Sequence, residues 1–135
     1  MAALRPSRLP PDAARRGDRQ RRYRSGLVSE WVAALALLAR GYMVIGRRVR
    51  TPMGEIDLIV RRGKRLAFVE VKRRDSLESA QAALAPRQAQ RLHRAAQHWL
   101  AQRPRYAHCH LGFDAVFVLP WRLPAHMPDV LQPRG

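Results

Sequence analysis

The stretch GEIDLIVRRGKRLAFVEVKRR, residues 54–74, decides how this chain reads. "EIDLIVR" and "LAFVEVK" are two apolar runs of strand length joined by the tight basic turn "RGKR". Inside them lie Glu55, Asp57 and Glu70, in a chain with 26 Lys and Arg but only 10 Asp and Glu. An unpaired charge in a half-buried strand is costly, so acids placed there call for a partner. Side chains alternate along a strand. Ala67, Val69 and Val71 therefore share one face, and Leu66, Phe68, Glu70 and Lys72 the other. In the preceding strand Ile56, Leu58 and Val60 form one face, opposite Glu55, Asp57 and Ile59. If the two strands pair as a meander, Asp57, Glu70 and Lys72 converge at one sheet edge. Two carboxylates there form a hard oxygen site suited to Mg²⁺ or Mn²⁺. Lys64 and Lys72 are the only lysines among the 26 basic residues. A compact ammonium beside Glu70 can hold or deprotonate a water, which a bulky guanidinium does poorly. The plainer alternative is a cross-strand salt bridge on a solvated face.

Working outward, 135 residues with 47% hydrophobic content suit one domain with a single core. The net charge of +16 points to a polyanion, with nucleic acid ahead of an anionic membrane surface. No apolar run reaches the ~18 residues of a membrane span. The Arg-rich N-terminus has no apolar signal-peptide core, although its composition leaves an organelle presequence open. One cysteine, Cys109, provides no disulfide framework and fits a reducing cytoplasm.

Residues 1–25 hold eight Arg, three Pro and two Asp and read as a basic, disordered tail. Residues 26–120 form the domain, with an excess of +9, and 121–135 read as a Pro-rich irregular tail. Ser25 caps a helix to about Arg40, with Leu27, Trp31, Leu35 and Leu38 near helical spacing, and Gly41 stops it. "YMVIGRRVR" is a strand before the turn "TPMG". After the two strands of the opening stretch come a short helix in "SLESAQAAL" and a longer one opened by Pro86. The longer helix buries Ala89, Leu92, Ala96, Trp99 and Leu100. "FDAVFVL" is the last strand. The expected fold is α/β, a mixed central sheet in α-β-β-β-α-β order flanked by helices.

Asp57 followed by "Glu70-Val71-Lys72" resembles the PD-(D/E)XK (restriction endonuclease-like) nuclease superfamily. Within it, "GEIDLI" and "FVEVKRR" closely resemble the YraN-like family of bacterial proteins, as do "SEWVAALALLARGY", "QRLHRAAQHWL" and "GFDAVFV". The resemblance implies a restriction endonuclease-like fold. It implies Asp57 and Glu70 as metal ligands for Mg²⁺ or Mn²⁺, with the Val71 carbonyl as a third. Lys72 would orient or activate the attacking water. Glu30 matches an additional first-helix acid of Holliday-junction resolvases, and its bland alternative is a first-turn acid favoured by the helix dipole. Glu55 would support this shell or pair with a nearby Arg. The implied reaction is hydrolysis of a phosphodiester without a covalent nucleophile. The chain departs from the family at Gln88, usually a lysine, and at Arg48, usually an asparagine. Gln88 can still orient a water or a phosphate.

Arg47, Arg48, Arg50, Arg61, Arg62, Lys64 and Arg65, with Arg73 and Arg74 after the Glu-x-Lys strand, are the candidates for tracking phosphates. Their alternative is a solubilising face. "HCH" at 108–110 lacks a second ligand pair at zinc spacing. His93 and His98 default to the helix surface, Trp31 and Trp99 to the core, and Trp121 is free to stack or meet a partner. The leading expectation is a metal-dependent DNA endonuclease, with DNA ahead of RNA and branched DNA suggested by the resolvase analogy. The alternatives are a non-catalytic nucleic-acid-binding module or scaffold of the same fold and, more weakly, a basic adaptor for a protein. A homodimer follows only from the resolvase analogy, since no patch in the sequence marks one.

Overall fold

The computed structural model describes residues 28–82 and 86–132. The expected basic tail, the Ser25 cap and Leu27 lie outside them. A first helix, α1, covers residues 28–39. It is followed by β1 (Met43–Thr51), β2 (Gly54–Arg62) and β3 (Arg65–Arg73), then α2 (Leu77–Ala82) and α3 (Pro86–Ala101). A single 3-10 turn (Pro104–Tyr106), β4 (His110–Val118) and β5 (Ala125–Met127) complete the described chain. Gly41 ends the α1 turn at φ +90°, a left-handed backbone that favours glycine.

The strands form one mixed sheet in the order β1-β2-β3-β4-β5. β1, β2 and β3 are an antiparallel meander. β4 runs parallel to β3, as a crossover through α3 requires. Helices cover both faces. α3 packs Leu92, Ala95, Ala96 and Trp99 against Ile56, Ile59, Phe68, Phe113 and Phe117. α1 packs Ala33, Ala34 and Leu37 against Leu58, Val60, Ala67, Val69 and Val116. This is the restriction endonuclease-like α/β architecture that the sequence implies.

Three expectations need correction. Ile56 does not share a face with Leu58 and Val60: it joins the α3 core and they join the α1 core. Regular alternation breaks at Asp57, beside the point where the β2–β3 pairing stops at Leu58–Val69. Second, α1 turns Ala33, Ala34 and Leu37 inward and not Trp31, which was expected in the core. Trp31, Leu35 and Leu38 are 54%, 61% and 56% exposed, whereas Ala33 and Leu37 are fully buried. Small side chains let the helix lie close on the sheet, and size alone misled the reading of its inward face. Trp99 is in the core as expected. Third, residues after 120 are not irregular throughout. Ala125–Met127 adds an edge strand to β4, and Leu131 is 2% exposed against Phe113 and its neighbours. Their apolar anchors are too few and too spaced by prolines to show as a period.

Candidate metal and nucleic-acid site

Glu55 and Asp57 enter at the start of β2, where its pairing with β3 ends. There the Asp57 Oδ2 accepts the Val71 N–H at 2.8 Å. The carboxylate thus takes the place of a backbone acceptor that the strand no longer offers. A cavity of about 10 Å³ opens at this point, lined by Glu55, Asp57, Val69, Glu70, Arg91 and Leu92. That is close to the space one water occupies.

Three carboxylates converge here. Oxygens of Glu30, from α1, and of Glu55 and Asp57 lie within 4.8 Å of one another, the one such group of three metal-competent side chains among the described residues. Glu30 is 4% exposed, and its Oε2 has no hydrogen-bond partner. Arg48 stands near, its Nη1 3.8 Å from Glu30 Oε1 and its Nε 3.6 Å from Glu55 Oε1. Arg50 reaches Glu55 at 4.0 Å. These separations are loose for charge-assisted hydrogen bonds. Burial pushes the Glu30 carboxyl up to about 7, against the pull of Arg48 and with a further push from Asp57 and Glu55. Burial likewise pushes Asp57 up to about 6, with Glu70 and Glu55 adding repulsion and the Val71 N–H and Lys72 opposing it. Clustered acids whose charged forms are disfavoured, one of them with an orphaned buried oxygen, are what a hard cation would relieve.

Glu70 is held differently. It is 6% exposed, and its Oε1 lies 2.9 Å from Lys72 Nζ and 3.4 Å from Arg91 Nη2. Glu70 and Lys72 share a face as the alternation requires. Asp57 senses Glu70 electrostatically, yet the three-acid group brings in Glu55 in its stead. The expected ligand set of Asp57, Glu70, Val71 and Glu30 therefore divides. Asp57 and Glu30 converge with Glu55, Glu70 pairs with Lys72 and Arg91, and the Val71 group tied to Asp57 is its N–H.

Arg48 has φ +51°, a left-handed backbone in which asparagine is several-fold enriched. Here an arginine holds the same backbone and brings a charge toward Glu30 and Glu55.

A groove of about 450 Å³ lies next to the acids, lined by Met53, Arg87, Gln88, Gln90, Arg91 and Arg94. Arg91 belongs to both spaces, and its side chain passes so close to Gly54 that a Cβ there would meet it at 3.2 Å. Gln88 lines this groove together with Arg91, which also reaches Glu70. The helical spacing of Arg87, Arg91 and Arg94 was legible in the sequence, but nothing marked which strand α3 would cross.

The expected phosphate-tracking cations scatter. Arg50 and Arg73 are exposed, while Arg74 donates to the Arg73 carbonyl. Arg47 stacks over Trp31, 3.9 Å from the ring centre. Arg61, Arg62 and Lys64 occupy the β2–β3 turn, roughly 17 Å along β2 from Asp57, and Arg62 donates to the Arg40 carbonyl. Arg65 is committed inside the molecule. It clamps Asp114 through two hydrogen bonds of 2.8 and 2.7 Å and reaches Asp129 at 3.0 Å. Asp114 is fully buried, and it also accepts from His126 Nε2 and the Asp129 N–H. Burial alone would raise its carboxyl, but these donors hold it down at about 2. This network joins β3, β4 and the last strand, and Asp114 could have been suspected from the same logic as Asp57, an acid inside an apolar strand. His108 and Cys109 contact each other at 3.9 Å, with no third ligand converging on them among the described residues.

No described helix is long and apolar enough to cross a membrane. The sequence is similar to a UPF0102 protein of Parvibaculum lavamentivorans, 47% identical over 133 residues that cover 96% of this chain and all of the relative. A UPF0102 protein of Rhodopseudomonas palustris strain BisB18 is 47% identical over 128 residues, 95% of each chain. One of Mesorhizobium japonicum is 46% identical over 118 residues, 87% of this chain and 94% of the relative. The profile of the uncharacterised protein family UPF0102 matches residues 29–118, from the α1 turn that carries Glu30 to the end of β4, and the chain belongs to that family.

Proposed function

We propose that this protein is a cytoplasmic, metal-dependent nuclease that hydrolyses phosphodiester bonds in DNA, branched DNA being the substrate that the resolvase analogy suggests. The observation that carries the reading is the convergence of the Glu30, Glu55 and Asp57 carboxylates, with the buried Glu30 Oε2 left without a hydrogen-bond partner. Those three residues would hold a Mg²⁺ or Mn²⁺ ion, with Glu70 next to them. When bound, such an ion supplies Lewis-acid polarisation of a phosphoryl oxygen and makes water more acidic. Lys72, paired with Glu70 at 2.9 Å, would orient a water or offset charge that builds on the phosphate. Arg91 leads from Glu70 into the groove, where Arg87, Arg94 and Gln88 can hold the flanking backbone. None of these groups reads bases, so recognition by backbone and shape fits best.

A second reading has its own observation. Glu70 is already paired by Lys72 and Arg91, and Glu30 and Glu55 stand near Arg48. Internal cations of this kind suit a nucleic-acid-binding module or scaffold that does not turn over. The two are separated by incubating labelled duplex, single-stranded and four-way-junction DNA with Mg²⁺ or Mn²⁺. Wild type is compared with Asp57→Ala and Lys72→Ala, each purified at high salt. Metal-dependent cutting lost in both variants supports the nuclease. Binding without cutting of any DNA sinks it and leaves the module or an RNA substrate.

A further inference from the structure

Among the described residues, helix α1 carries a second apolar face that the sheet does not use. Val28, Trp31, Leu35 and Leu38 are between 54% and 62% exposed. The spacing along the helix is three, four and three residues, the a/d repeat of a coiled-coil seam. On a 3.6-residue helix that stripe lies well away from the buried line of Ala33, Ala34 and Leu37. We infer that this stripe is a homodimer interface, in which α1 of one copy pairs antiparallel with α1 of a second.

The stripe is complementary to itself. In an antiparallel pair centred between Trp31 and Leu35, Trp31 faces Leu35 of the second copy and Val28 faces Leu38, so every apolar residue meets another. The four side chains expose roughly 400–450 Å² a side, a contiguous patch as large as the biggest on many monomers. They supply about half of the ~800 Å² per partner of a standard interface. Trp31 with Arg47 stacked on its ring, at 3.9 Å, joins two residue types enriched among interface hot spots. Residues 1–27 hold eight Arg and three Pro, and their few large apolar residues follow no helical or strand period. The inference stands apart from any nuclease activity.

Two copies of a +16 chain repel one another. The dimer should therefore tighten as salt rises, whereas association bridged by nucleic acid should weaken. Sedimentation of the full chain, stripped of nucleic acid, over a range of concentration and salt tests this. The expected result is a species of twice the 15.5 kDa chain mass that is favoured by salt. Leu35→Glu should weaken it about 100-fold, and Leu123→Glu, an equal change at an exposed position off the stripe, should leave it unaltered. Leu35→Ala with Leu38→Ala, which preserves helix propensity, should also weaken it. A wild type that stays monomeric at high salt and high concentration would overturn the inference and leave the stripe to a different protein. A dimer that survives both stripe variants would overturn it as well.

Discussion

Asp57 Oδ2 accepts the Val71 N–H at 2.8 Å, at the step where β2 ceases to pair with β3. One carboxylate thus closes the gap between two strands and also belongs to the three-acid group. The two roles respond differently to substitution. Asp57→Asn keeps an acceptor for Val71 and removes a charge that burial disfavours. Without metal it should melt no lower than wild type near neutral pH. Asp57→Ala loses the bond as well and should cost on the order of 1–3 kcal/mol. In both, added Mn²⁺ should no longer raise the melting temperature. Thermal melts with and without the ion check this.

The raised carboxyls set the direction of the pH response. Asp57 and Glu30 hold protons in the fold that the unfolded chain has released, up to about pH 6 and 7. Their contribution to stability therefore falls as pH rises from about 4 to about 7. Asp114, held down at about 2, acts oppositely: its contribution is complete above about 4 and is lost as pH falls toward 2. The metal-free protein should be most stable on the acidic side of neutrality, near pH 4 to 5. Metal displaces the same protons, so its affinity should rise between pH 5 and 7, and Glu30→Gln should flatten that rise. Denaturant titrations and calorimetry at several pH values measure both.

Arg65 and Asp114 answer for the fold and not for ligand binding. Arg65→Ala strands a fully buried carboxylate and should cost about 3–5 kcal/mol. In the fraction that remains folded, affinity for DNA should fall little. A denaturation curve paired with a binding isotherm separates these effects.

The groove arginines should behave in the reverse way. Arg87→Ala and Arg94→Ala change exposed residues and should leave stability within about 0.5 kcal/mol. Each should lower the slope of log affinity against log salt by about one, uniformly across DNA sequences. Fluorescence anisotropy over a salt series is the measurement.

The sequence by itself determined the strands, their meander and the shared face of Glu70 and Lys72. These follow from the two-residue alternation of side chains and from short turns, which act between neighbours in the chain. It also marked Asp57 as an acid in need of a partner. Tertiary structure decided which acids meet. Glu30 comes from a helix packed on one face of the sheet and Glu55 from the strand edge, so their approach depends on how closely alanines 33 and 34 let α1 lie. It decided the fate of the arginines too, sending Arg65 inward to Asp114 and Arg91 toward Glu70. All arginines carry the same charge and the same reach, so only the position of the nearest carboxylate in space tells them apart. The last strand and the outward stripe of α1 belong to the same class. Each is set by what the rest of the fold leaves uncovered, which a local pattern does not contain.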